Sequence, residues 1–341
     1  MGILMKIQLI GLGNVGRALI ELIENKRAFL KSLGVSLVVV SISDSKGTAM
    51  GKNGLNLAEV LKYKERTWKN FSNYIRGYGA LDAIKSSESD AVVELTPTTP
   101  NGEPGLSNIK TALSTGKNVV TANKGPLVVA YDKLVKMAAE KGVRLFYEAT
   151  VAAHLPVFCM VNSCFKVDEL VKIEGILNAT TNFIIGGMEN GRSFEEALNK
   201  AKRAGWAETN YHDDVDGIDA ARKVVIMANS LFNKKARLED VQIEGIRNVE
   251  PLVRVAAKTG KKTKLICKIT KDRDKLRMSV MPQQIPLEDP LATVNHGDMG
   301  IKFTFTTSKD IFVSAQFKGP TQTAYAVLND IIKLGSMRET C

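Results

Sequence analysis

The sequence predicts an α/β protein with two domains, a doubly wound parallel sheet followed by an α+β domain. In the first half, short β-branched runs alternate with amphipathic helical stretches, which is typical of a parallel sheet covered by helices. After residue 148 this alternation stops: helical patterns dominate to about 245, and strands with one polar face follow from 263 to 317. The chain has 341 residues, which suits two domains of ordinary size. We expect these domains at 1–148 and 149–317, with a C-terminal helix at about 318–341 that packs back on the first.

The individual elements follow from the same patterns. The first half contains a strand KIQLIGLG, a helix at 14–32, strands VSLVVVSISD and SDAVVELT, a helix SNIKTALSTG, a strand KNVVTA, a helix DKLVKMAAEKG and a strand VRLFYEA. The second half contains one strand, ELVKIEGILN, in its helical region, and then KTKLICKIT, KLRMSVMPQ, IKFTFTTS and DIFVSAQF. The last segment, TQTAYAVLNDIIKLG, has apolar residues at helical spacing.

Composition narrows the class of protein. With 44% hydrophobic and 24% charged residues, and no apolar run long enough to span a membrane, we expect a soluble cytoplasmic protein without a membrane partner. Four cysteines without metal-ligand spacing, Cys159, Cys164, Cys267 and Cys341, favour reduced thiols over a disulfide framework. The net charge of +11 comes from dispersed residues that are not interleaved with aromatic side chains, so we expect an anionic small molecule and no nucleic acid.

A glycine motif, GLGNVG, joins the first strand to the first helix. Gly11, Gly13 and Gly16 have the GxGxxG spacing that allows a tight turn, a close approach of pyrophosphate to the backbone, and close packing of helix on strand. Asn14 and Val15 lie between them, at the helix N-terminus, where free N–H groups hold phosphates. The motif predicts a Rossmann-type dinucleotide-binding domain.

Three further strand ends carry candidate residues. Asp44 ends the second strand, where a carboxylate holds the ribose hydroxyls of NAD, although it could instead begin the turn SDSKG; Lys46 could pair with the 2′-phosphate of NADP. Thr96 and Pro97 follow the strand that ends nearest the nicotinamide and are expected to shape the pocket floor. Lys124 follows another buried strand and could accept or relay a proton, or it could simply be solvated.

An acidic stretch, YHDDVDGIDAARKVVIMANSLF, stands out in this basic chain. A helix that begins near Asp216 would place Asp213, Asp214 and Asp216 at its positive end, where carboxylates cap and stabilise the helix. Asp219 and Lys223 are four residues apart and share one face, so they could form a surface ion pair. The helix is apolar on most sides, however, and a buried Lys223 would need a partner or a substrate.

Together these segments resemble the homoserine dehydrogenases of the short type, without a regulatory domain. The resemblance covers nearly the whole chain and rests on GLGNVG, TPT, TANKGPL, YEATV, KIEGILNATTNFI, DDVDGIDAARKVVIMA and TAYAVLNDI; TANK and the DDxxGxDAAxK pattern are the most specific. It implies an NAD- or NADP-dependent enzyme of threonine and methionine biosynthesis that interconverts homoserine and aspartate 4-semialdehyde. It also implies a homodimer whose second domain serves substrate binding, catalysis and dimerisation.

The resemblance assigns roles residue by residue. Lys124 and Lys223 would handle protons and Asp219 would orient them, while Thr180, Glu208 and Asp214 would contact the amino acid. A monovalent cation, Na⁺ or K⁺, would be held by Glu148 and the backbone carbonyls of Val151 and Ala153. The glycine-rich turn before the last helix, at the nucleotide edge, would be reduced to the segment around Gly319.

The chain departs from the family pattern at three positions. A VGAGLP-like loop reads VAAHLP, with Ala152 and His154 in place of small residues or glycine, and GILNGT reads GILNAT, with Ala179. We expect His154 to be a packed or partly exposed side chain instead of a catalyst. His154 and Ala179 motivate one alternative, a related dehydrogenase of another amino or hydroxy acid. The net charge of +11 motivates another, an inactive nucleotide-binding homologue that senses nucleotides or binds nucleic acid.

Overall fold

The computed structural model describes residues 3–63, 68–207 and 211–336. The chain forms two compact units, one of Met1–His154 with Gly319–Cys341, the other of Leu155–Lys318. The boundary between the units follows His154, whereas the predicted boundary follows residue 148. None of the helices in the described ranges is long and apolar enough to cross a membrane.

The first unit is built on a seven-stranded sheet. Its elements are β1 (Ile3–Ile10), α1 (Asn14–Asn25), α2 (Arg27–Ser32), β2 (Val35–Ser43), β3 (Gly47–Met50), α3 (Leu57–Val60), β4 (Tyr74–Arg76), α4 (Ala80–Ser86), β5 (Ala91–Glu94), α5 (Gly105–Ser114), β6 (Asn118–Thr121), α6 (Lys124–Glu140) and β7 (Leu145–Phe146). The strand order is β4-β3-β2-β1-β5-β6-β7. The five neighbouring strands β2, β1, β5, β6 and β7 are parallel, whereas β3 and β4 are antiparallel. The order reverses between β1 and β5, so a ligand crevice is expected at the carboxyl ends of these strands. The predicted doubly wound sheet is confirmed.

The sheet core combines the first strand with the C-terminal helix, Pro320–Ser336, which is numbered α13 after the helices of the second unit. Ile7 and Leu9 of β1 are fully buried in the same apolar cluster as Val327 and Ile331 of that helix. At about 25 cal/mol per Å² of apolar surface removed from water, side chains of this size each stabilise the unit by roughly 1.5–3 kcal/mol. The C-terminal helix is therefore part of the first unit's core.

Several local predictions differ from the structure. The helix predicted at 14–32 is two helices, because the backbone leaves helical geometry at Lys26 (φ −103°, ψ 8°). The helix predicted from 132 begins at Lys124 and contains a kink at Ala130. The antiparallel strands β3 and β4 were not predicted, since they are only four and three residues long and carry little apolar alternation.

The second unit contains a six-stranded, mostly antiparallel sheet covered by helices. Its elements are α7 (Phe158–Cys164), β8 (Leu170–Ile176), α8 (Ala179–Glu189), α9 (Phe194–Arg203), α10 (His212–Val215), α11 (Ile218–Leu231), β9 (Val241–Ile243), α12 (Glu250–Lys258), β10 (Lys261–Asp272), β11 (Lys275–Pro286), β12 (Met299–Phe305) and β13 (Lys309–Ala315). The strand order is β13-β12-β8-β10-β11-β9. All five strands predicted for the second half are present.

The prediction that one face of this sheet meets water is correct for only part of it. Next to the exposed half, Ile176 and Ile266 pack with Leu291 and Val294 of the segment that connects β11 to β12. That segment also covers Lys264, whose side chain is fully buried. A connecting loop thus closes over a face that strand alternation alone marks as polar.

Candidate active site

The glycine turn between β1 and α1 has one open position. An ideal Cβ on Gly11, which has φ +101°, would lie 2.6 Å from the carbonyl oxygen of Leu95, and one on Gly16 would lie 2.3 Å from the carbonyl oxygen of Gly11. These two glycines are needed for close packing. A Cβ on Gly13 would meet nothing within 4 Å, and helix α1, which begins with Asn14 and Val15, has no side-chain cap. Open space before an uncapped helix N-terminus fits a pyrophosphate group.

Asp44 begins a turn, as one of the two interpretations proposed. Its Oδ1 accepts hydrogen bonds from the backbone N–H groups of Lys46 (2.8 Å) and Gly47 (2.9 Å) and from the hydroxyl of Tyr74 (2.8 Å). Burial, together with the adjacent carboxylate, raises the pKa of Tyr74. The carboxylate is therefore fixed at the end of β2, where a ribose would be contacted; its contact with a ribose stays a prediction.

The end of β5 is joined to the end of β6 by side-chain hydrogen bonds. Thr96 donates its backbone N–H to Oε1 of Glu94 (3.0 Å), and its hydroxyl also donates to that carboxyl group. Asn123 donates from Nδ2 to Oγ1 of Thr96 (3.2 Å) and to the carbonyl oxygen of Pro97 (3.4 Å). Both predicted pocket-floor residues are thus tied to the loop that precedes Lys124.

Lys124 is the first residue of helix α6 and is half-buried. Its position is set by Asn123, whose Oδ1 accepts the N–H of Gly125 (3.0 Å) and so caps the helix. Lys124 belongs to the first unit, whereas the other two predicted catalytic residues, Asp219 and Lys223, belong to the second.

In the second unit, Asp214, Asp219 and Lys223 come together around Asn178. Nδ2 of Asn178 donates to Oδ1 of Asp214 (2.7 Å) and to Oδ2 of Asp219 (3.1 Å). Nζ of Lys223 lies 2.7 Å from Oδ2 of Asp219 and 2.5 Å from the carbonyl oxygen of Leu177. The side chains of Lys223 and Asp219 are only 11% and 16% exposed, so the alternative of a solvated surface ion pair is wrong.

Burial gives this cluster its electrostatic character. The pKa of Asp214 is raised, mainly by desolvation and then by the like charge of Asp219. Asn178 and Lys223 act in the opposite direction, since each stabilises the ionised carboxylate. A partly desolvated carboxylate next to a lysine is suited to binding a cationic group and to moving a proton.

A left-handed glycine makes the cluster possible. Gly217 (φ +80°) separates the short helix α10 from α11, so that Asp214 on one helix and Asp219 on the next both face Asn178. Thr180, predicted to contact substrate, lies in the first turn of α8 and donates to the carbonyl oxygen of Trp206 (2.6 Å). Glu208, the remaining predicted substrate residue, lies outside the described residues.

The capping roles expected for two neighbouring acids are wrong. Neither Asp213 nor Asp216 caps a helix through its side chain; Gly217 occupies the N-cap of α11. Instead Asp213 pairs with Arg222 (2.5 Å), and Asp216 pairs with Arg247 (2.5 Å). Nearby guanidinium groups outcompete backbone N–H groups here because a paired charge gives a stronger hydrogen bond.

The predicted cation loop follows β7. Glu148 begins a short 3₁₀ turn, Glu148–Thr150, and its N–H donates to Oδ2 of Asp330 (3.0 Å), a carboxyl group whose burial raises its pKa to about 7. Val151 and Ala153 are buried, and Ala152 and Ala153 both have left-handed backbone (φ +54° and +52°) where the family pattern has small residues or glycine. A carboxylate and backbone carbonyls are the oxygen donors that hard cations take, so the donor set fits.

His154 and Gly319 flank this region of the first unit. Burial lowers the pKa of His154, and its Nδ1 has no hydrogen-bond partner among the described residues, which confirms a packed, partly exposed side chain. Gly319 has φ +137°, and an ideal Cβ on it would meet nothing within 4 Å. Like Gly13, it leaves open space before a helix.

Comparison with known proteins decides the family. The sequence pattern described as "Homoserine dehydrogenase" matches residues 156–332, and that described as "Homoserine dehydrogenase, NAD binding domain" matches residues 11–148. The chain belongs to the homoserine dehydrogenase family. It is accordingly an NAD(P)-dependent oxidoreductase that acts on a CH–OH group.

Individual relatives match nearly the whole chain. The homoserine dehydrogenase of Methanocaldococcus jannaschii is 35% identical over 97% of this chain and 98% of its own, and the NAD(+)-dependent homoserine dehydrogenase of Pseudomonas canavaninivorans is 34% identical over 96% of each. Among solved structures, homoserine dehydrogenase from Thermoplasma acidophilum has a TM-score of 0.85 at 28% identity, covering 98% of this chain and 99% of its own. A hyperthermophilic archaeal homoserine dehydrogenase in complex with NADPH has a TM-score of 0.85 at 27% identity, covering 98% of each chain.

Three polar residues of this homoserine dehydrogenase family member were missed by sequence reasoning. Asn178, Glu94 and Asn123 are 5%, 0% and 2% exposed. The available signal was position: Asn178 and Asn123 stand between a buried strand and a helix, where a side-chain cap is expected, and Glu94 ends an apolar strand, where a carboxyl group needs partners.

Proposed function

We propose that this protein interconverts L-homoserine and L-aspartate 4-semialdehyde by hydride transfer with NAD(P). The observation that carries the proposal is the buried cluster of Asp214, Asp219 and Lys223 around Asn178. A zwitterionic substrate needs a carboxylate for its ammonium group and a proton carrier for its oxygen. The cluster offers both, within one unit.

The substrate is held by its amino acid end. Asp214 binds the ammonium group, assisted by Glu208, and Thr180 contacts the same end of the molecule. Asp214 suits this role because its raised pKa reflects a desolvated carboxylate, in which an added cation interacts strongly. A buried hydrogen bond to Asn178 keeps the acceptor oxygen in place.

The proton of the reacting oxygen passes through lysine. Bound nicotinamide supplies the hydride acceptor in the oxidising direction and the hydride donor in the reducing direction. Nζ of Lys223 takes the hydroxyl proton of homoserine, or gives a proton to the aldehyde oxygen, while Asp219 and the Leu177 carbonyl fix its position. Lys124 is the second lysine that the family resemblance assigns to proton handling. Positioned proton transfer of this kind contributes about 10²- to 10⁴-fold to rate.

The dinucleotide is held in the first unit. Gly11, Gly13 and Gly16, with Asn14 and Val15, bind the pyrophosphate; Thr96, Pro97 and Gly319 contact the rest of the nucleotide. Asp44 is fixed by three donors at the ribose position, and an immobile carboxylate repels a 2′-phosphate, so we propose that NAD is preferred. Asp44→Ser should raise the ratio of kcat/KM for NADP over NAD; an unchanged ratio would contradict this preference, and Lys46 would then be the residue to test.

A monovalent cation, a homodimer and a cytoplasmic location complete the proposal. Glu148 and the carbonyls of Val151 and Ala153 would hold Na⁺ or K⁺, as their oxygen chemistry allows. The homodimer rests on the resemblance, and light scattering of the purified protein tests it. The thiols of Cys164 and Cys267, which form no disulfide among the described residues, support a reducing compartment.

The deciding experiment is a steady-state assay with homoserine, following the nicotinamide absorbance with NAD and with NADP. We expect turnover in the wild type and a loss of about 10²- to 10⁴-fold in Lys223→Ala. Lys200→Ala, which removes an exposed lysine from helix α9, is the matched control and should keep full activity. A wild type that is inactive with both cofactors, with Na⁺ and K⁺ present, overturns the proposal; a preference for another hydroxy acid supports the related-dehydrogenase alternative.

A further inference from the structure

We propose that Glu94 is a positioning residue for this reaction, which holds the cofactor-contacting loop at Thr96–Pro97 and the start of helix α6 at Lys124 in one arrangement. The inference rests on the proposed function, because it concerns residues that the proposed reaction uses. Glu94 itself touches neither substrate nor cofactor in this proposal. It acts through Thr96 and Asn123.

The first observation is the burial of an acid among donors. Glu94 ends strand β5, is 0% exposed, and belongs to no surface ion pair among the described residues. Its Oε1 accepts the N–H of Thr96 (3.0 Å) and the Thr96 hydroxyl, and its Oε2 lies 3.3 Å from the hydroxyl of Thr121. The nearby amide of Asn123 also favours its ionised form. The carboxyl group therefore holds Thr96 directly, and Thr121 and Asn123 lie beside it.

The second observation connects this carboxyl group to both functional loops. The amide group of Asn123 donates hydrogen bonds to the loop that follows Glu94, with Nδ2 3.2 Å from Oγ1 of Thr96 and 3.4 Å from the carbonyl oxygen of Pro97. Its Oδ1 meanwhile caps helix α6 by accepting the N–H of Gly125 (3.0 Å). Lys124 lies in the chain between Asn123 and Gly125, so the side chain of Asn123 also fixes the backbone of Lys124.

The third observation is the close packing around the side chains of Glu94 and Asn123. An ideal Cβ on Gly105, at the start of α5, would lie 2.5 Å from Nδ2 of Asn123 and 3.0 Å from Oε2 of Glu94. Only glycine, which has no Cβ, therefore fits at position 105 beside Glu94 and Asn123. Backbone and side chains close the space around the carboxyl group, which favours a single geometry of the two loops.

Fold stability alone does not account for an acid in this place. Burial raises the pKa of Glu94 above its ordinary value, because desolvation outweighs the hydrogen bonds that it accepts. A buried carboxyl group therefore opposes folding relative to an apolar residue of similar size. Its position at the carboxyl end of β5, next to the residues proposed for nicotinamide and proton handling, is where such a group gains a function.

The test compares Glu94→Gln, Asn123→Asp, the double variant and a control. Glu94→Gln keeps the size but turns one acceptor oxygen into a donor, which then faces the amide of Asn123. Asn123→Asp keeps the helix cap and removes the amide donor. Lys117→Met is the control: it removes a buried hydrogen bond (2.8 Å, to the carbonyl oxygen of Ser87) at the opposite end of the same sheet. Each variant is measured for thermal unfolding, for NADH affinity by nicotinamide fluorescence, and for kcat and KM with homoserine.

Positioning predicts a specific pattern. In Glu94→Gln and Asn123→Asp, kcat should fall and the Kd for NADH should rise, each by about 10- to 100-fold, the factor that corresponds to losing a hydrogen bond to a charged group. KM for homoserine should stay within about twofold, since its binding cluster lies in the other unit. The double variant should be no worse than the weaker single variant, because both act through one contact. Lys117→Met should leave kcat and the Kd for NADH within about twofold of wild type, because it lies at the opposite end of the sheet.

Two outcomes overturn the inference. One is a Glu94→Gln protein with kcat and NADH affinity within twofold of wild type. The other is additive losses in the double variant. The Lys117→Met control must not reproduce the losses at the same unfolding temperature. If Glu94→Gln fails to fold, Asn123→Asp decides, since it leaves Glu94 in place. NADH affinity needs no homoserine, so a wild type inactive on homoserine would overturn the proposed function and leave this test intact.

Discussion

Replacing Asp214 by Asn separates substrate binding from fold stability. The substitution keeps the shape of the side chain and an oxygen that can accept the 2.7 Å hydrogen bond from Asn178, but it removes the negative charge. A hydrogen bond to a charged group stabilises a complex by about 1.5–3 kcal/mol, and each 1.36 kcal/mol is a factor of ten. We therefore expect the KM for homoserine to rise about 10- to 150-fold.

The same substitution should not destabilise the protein. The pKa of Asp214 is raised in the folded state, chiefly by burial and then by Asp219, so the folded protein binds this proton more tightly than the unfolded chain does. Stability associated with the group is complete below the ordinary Asp pKa of 3.8 and is lost as the pH rises through the raised value. At neutral pH Asp214→Asn avoids that loss, so its free energy of unfolding should equal or exceed that of the wild type.

Steady-state kinetics and urea unfolding check both statements. Asp213→Asn is the matched control. The Asp213 carboxylate is adjacent in sequence to Asp214, is 50% exposed and pairs with Arg222. It should change the KM for homoserine by less than about twofold, because the Asp213 carboxylate pairs with Arg222 and makes no hydrogen bond with Asn178. A KM within about threefold of wild type in Asp214→Asn, or a clear loss of stability, would refute the reasoning about this carboxylate.

Three further predictions follow from the packing. Gly13→Ala should leave thermal unfolding unchanged, since its Cβ meets nothing within 4 Å, but weaken NADH binding at least about tenfold; Gly16→Ala, whose Cβ would lie 2.3 Å from a carbonyl oxygen, should instead lower the unfolding temperature. Burial lowers the pKa of Lys264 to about 8, so the folded protein releases this proton at a lower pH than the unfolded chain does. Between pH 8 and the ordinary 10.5, the free energy of unfolding of the wild type should therefore rise by about 3 kcal/mol relative to that of Lys264→Met. A difference between the two proteins that stays constant with pH in urea unfolding would contradict this. Gly297→Ala, which puts a Cβ 2.3 Å from a tryptophan ring, should cost about 1–3 kcal/mol of unfolding free energy, whereas Gly186→Ala, with its nearest atom at 4.0 Å on helix α8, should stabilise; equal effects would show that the ring moves aside.

The sequence predicted best where one interaction dominates. The parallel strands of the first unit were found because β-branched runs in a parallel sheet are buried on both faces, and α11 because apolar residues fill most of its surface. The pairing of Asp219 with Lys223 follows from a spacing of four on a helix. The start of α6 was missed because Gly125 and Pro126 are typical of loops, although Pro is tolerated in a first helical turn.

Predictions failed where several contacts compete for one group. Asp213 and Asp216 carry the pattern of helix caps, but Arg222 and Arg247 bind them, and Arg247 is 31 residues from its partner. The exposed face expected for the second sheet is half covered by the segment between β11 and β12. Neither outcome is written in a local pattern, because each depends on residues distant in the chain.

The sequence by itself determined the order of most strands and helices, the glycine turn, the family resemblance and the identity of the charged residues on α11. Tertiary structure decided which of these residues meet. Asn178 gathers Asp214, Asp219 and Lys223 only because Gly217 turns one helix against the next, and Glu94 reaches Asn123 only because β5 and β6 lie side by side. The physical reason is range: propensity and periodicity act over a few residues, whereas burial and hydrogen bonding act between whatever residues the folded chain brings into contact.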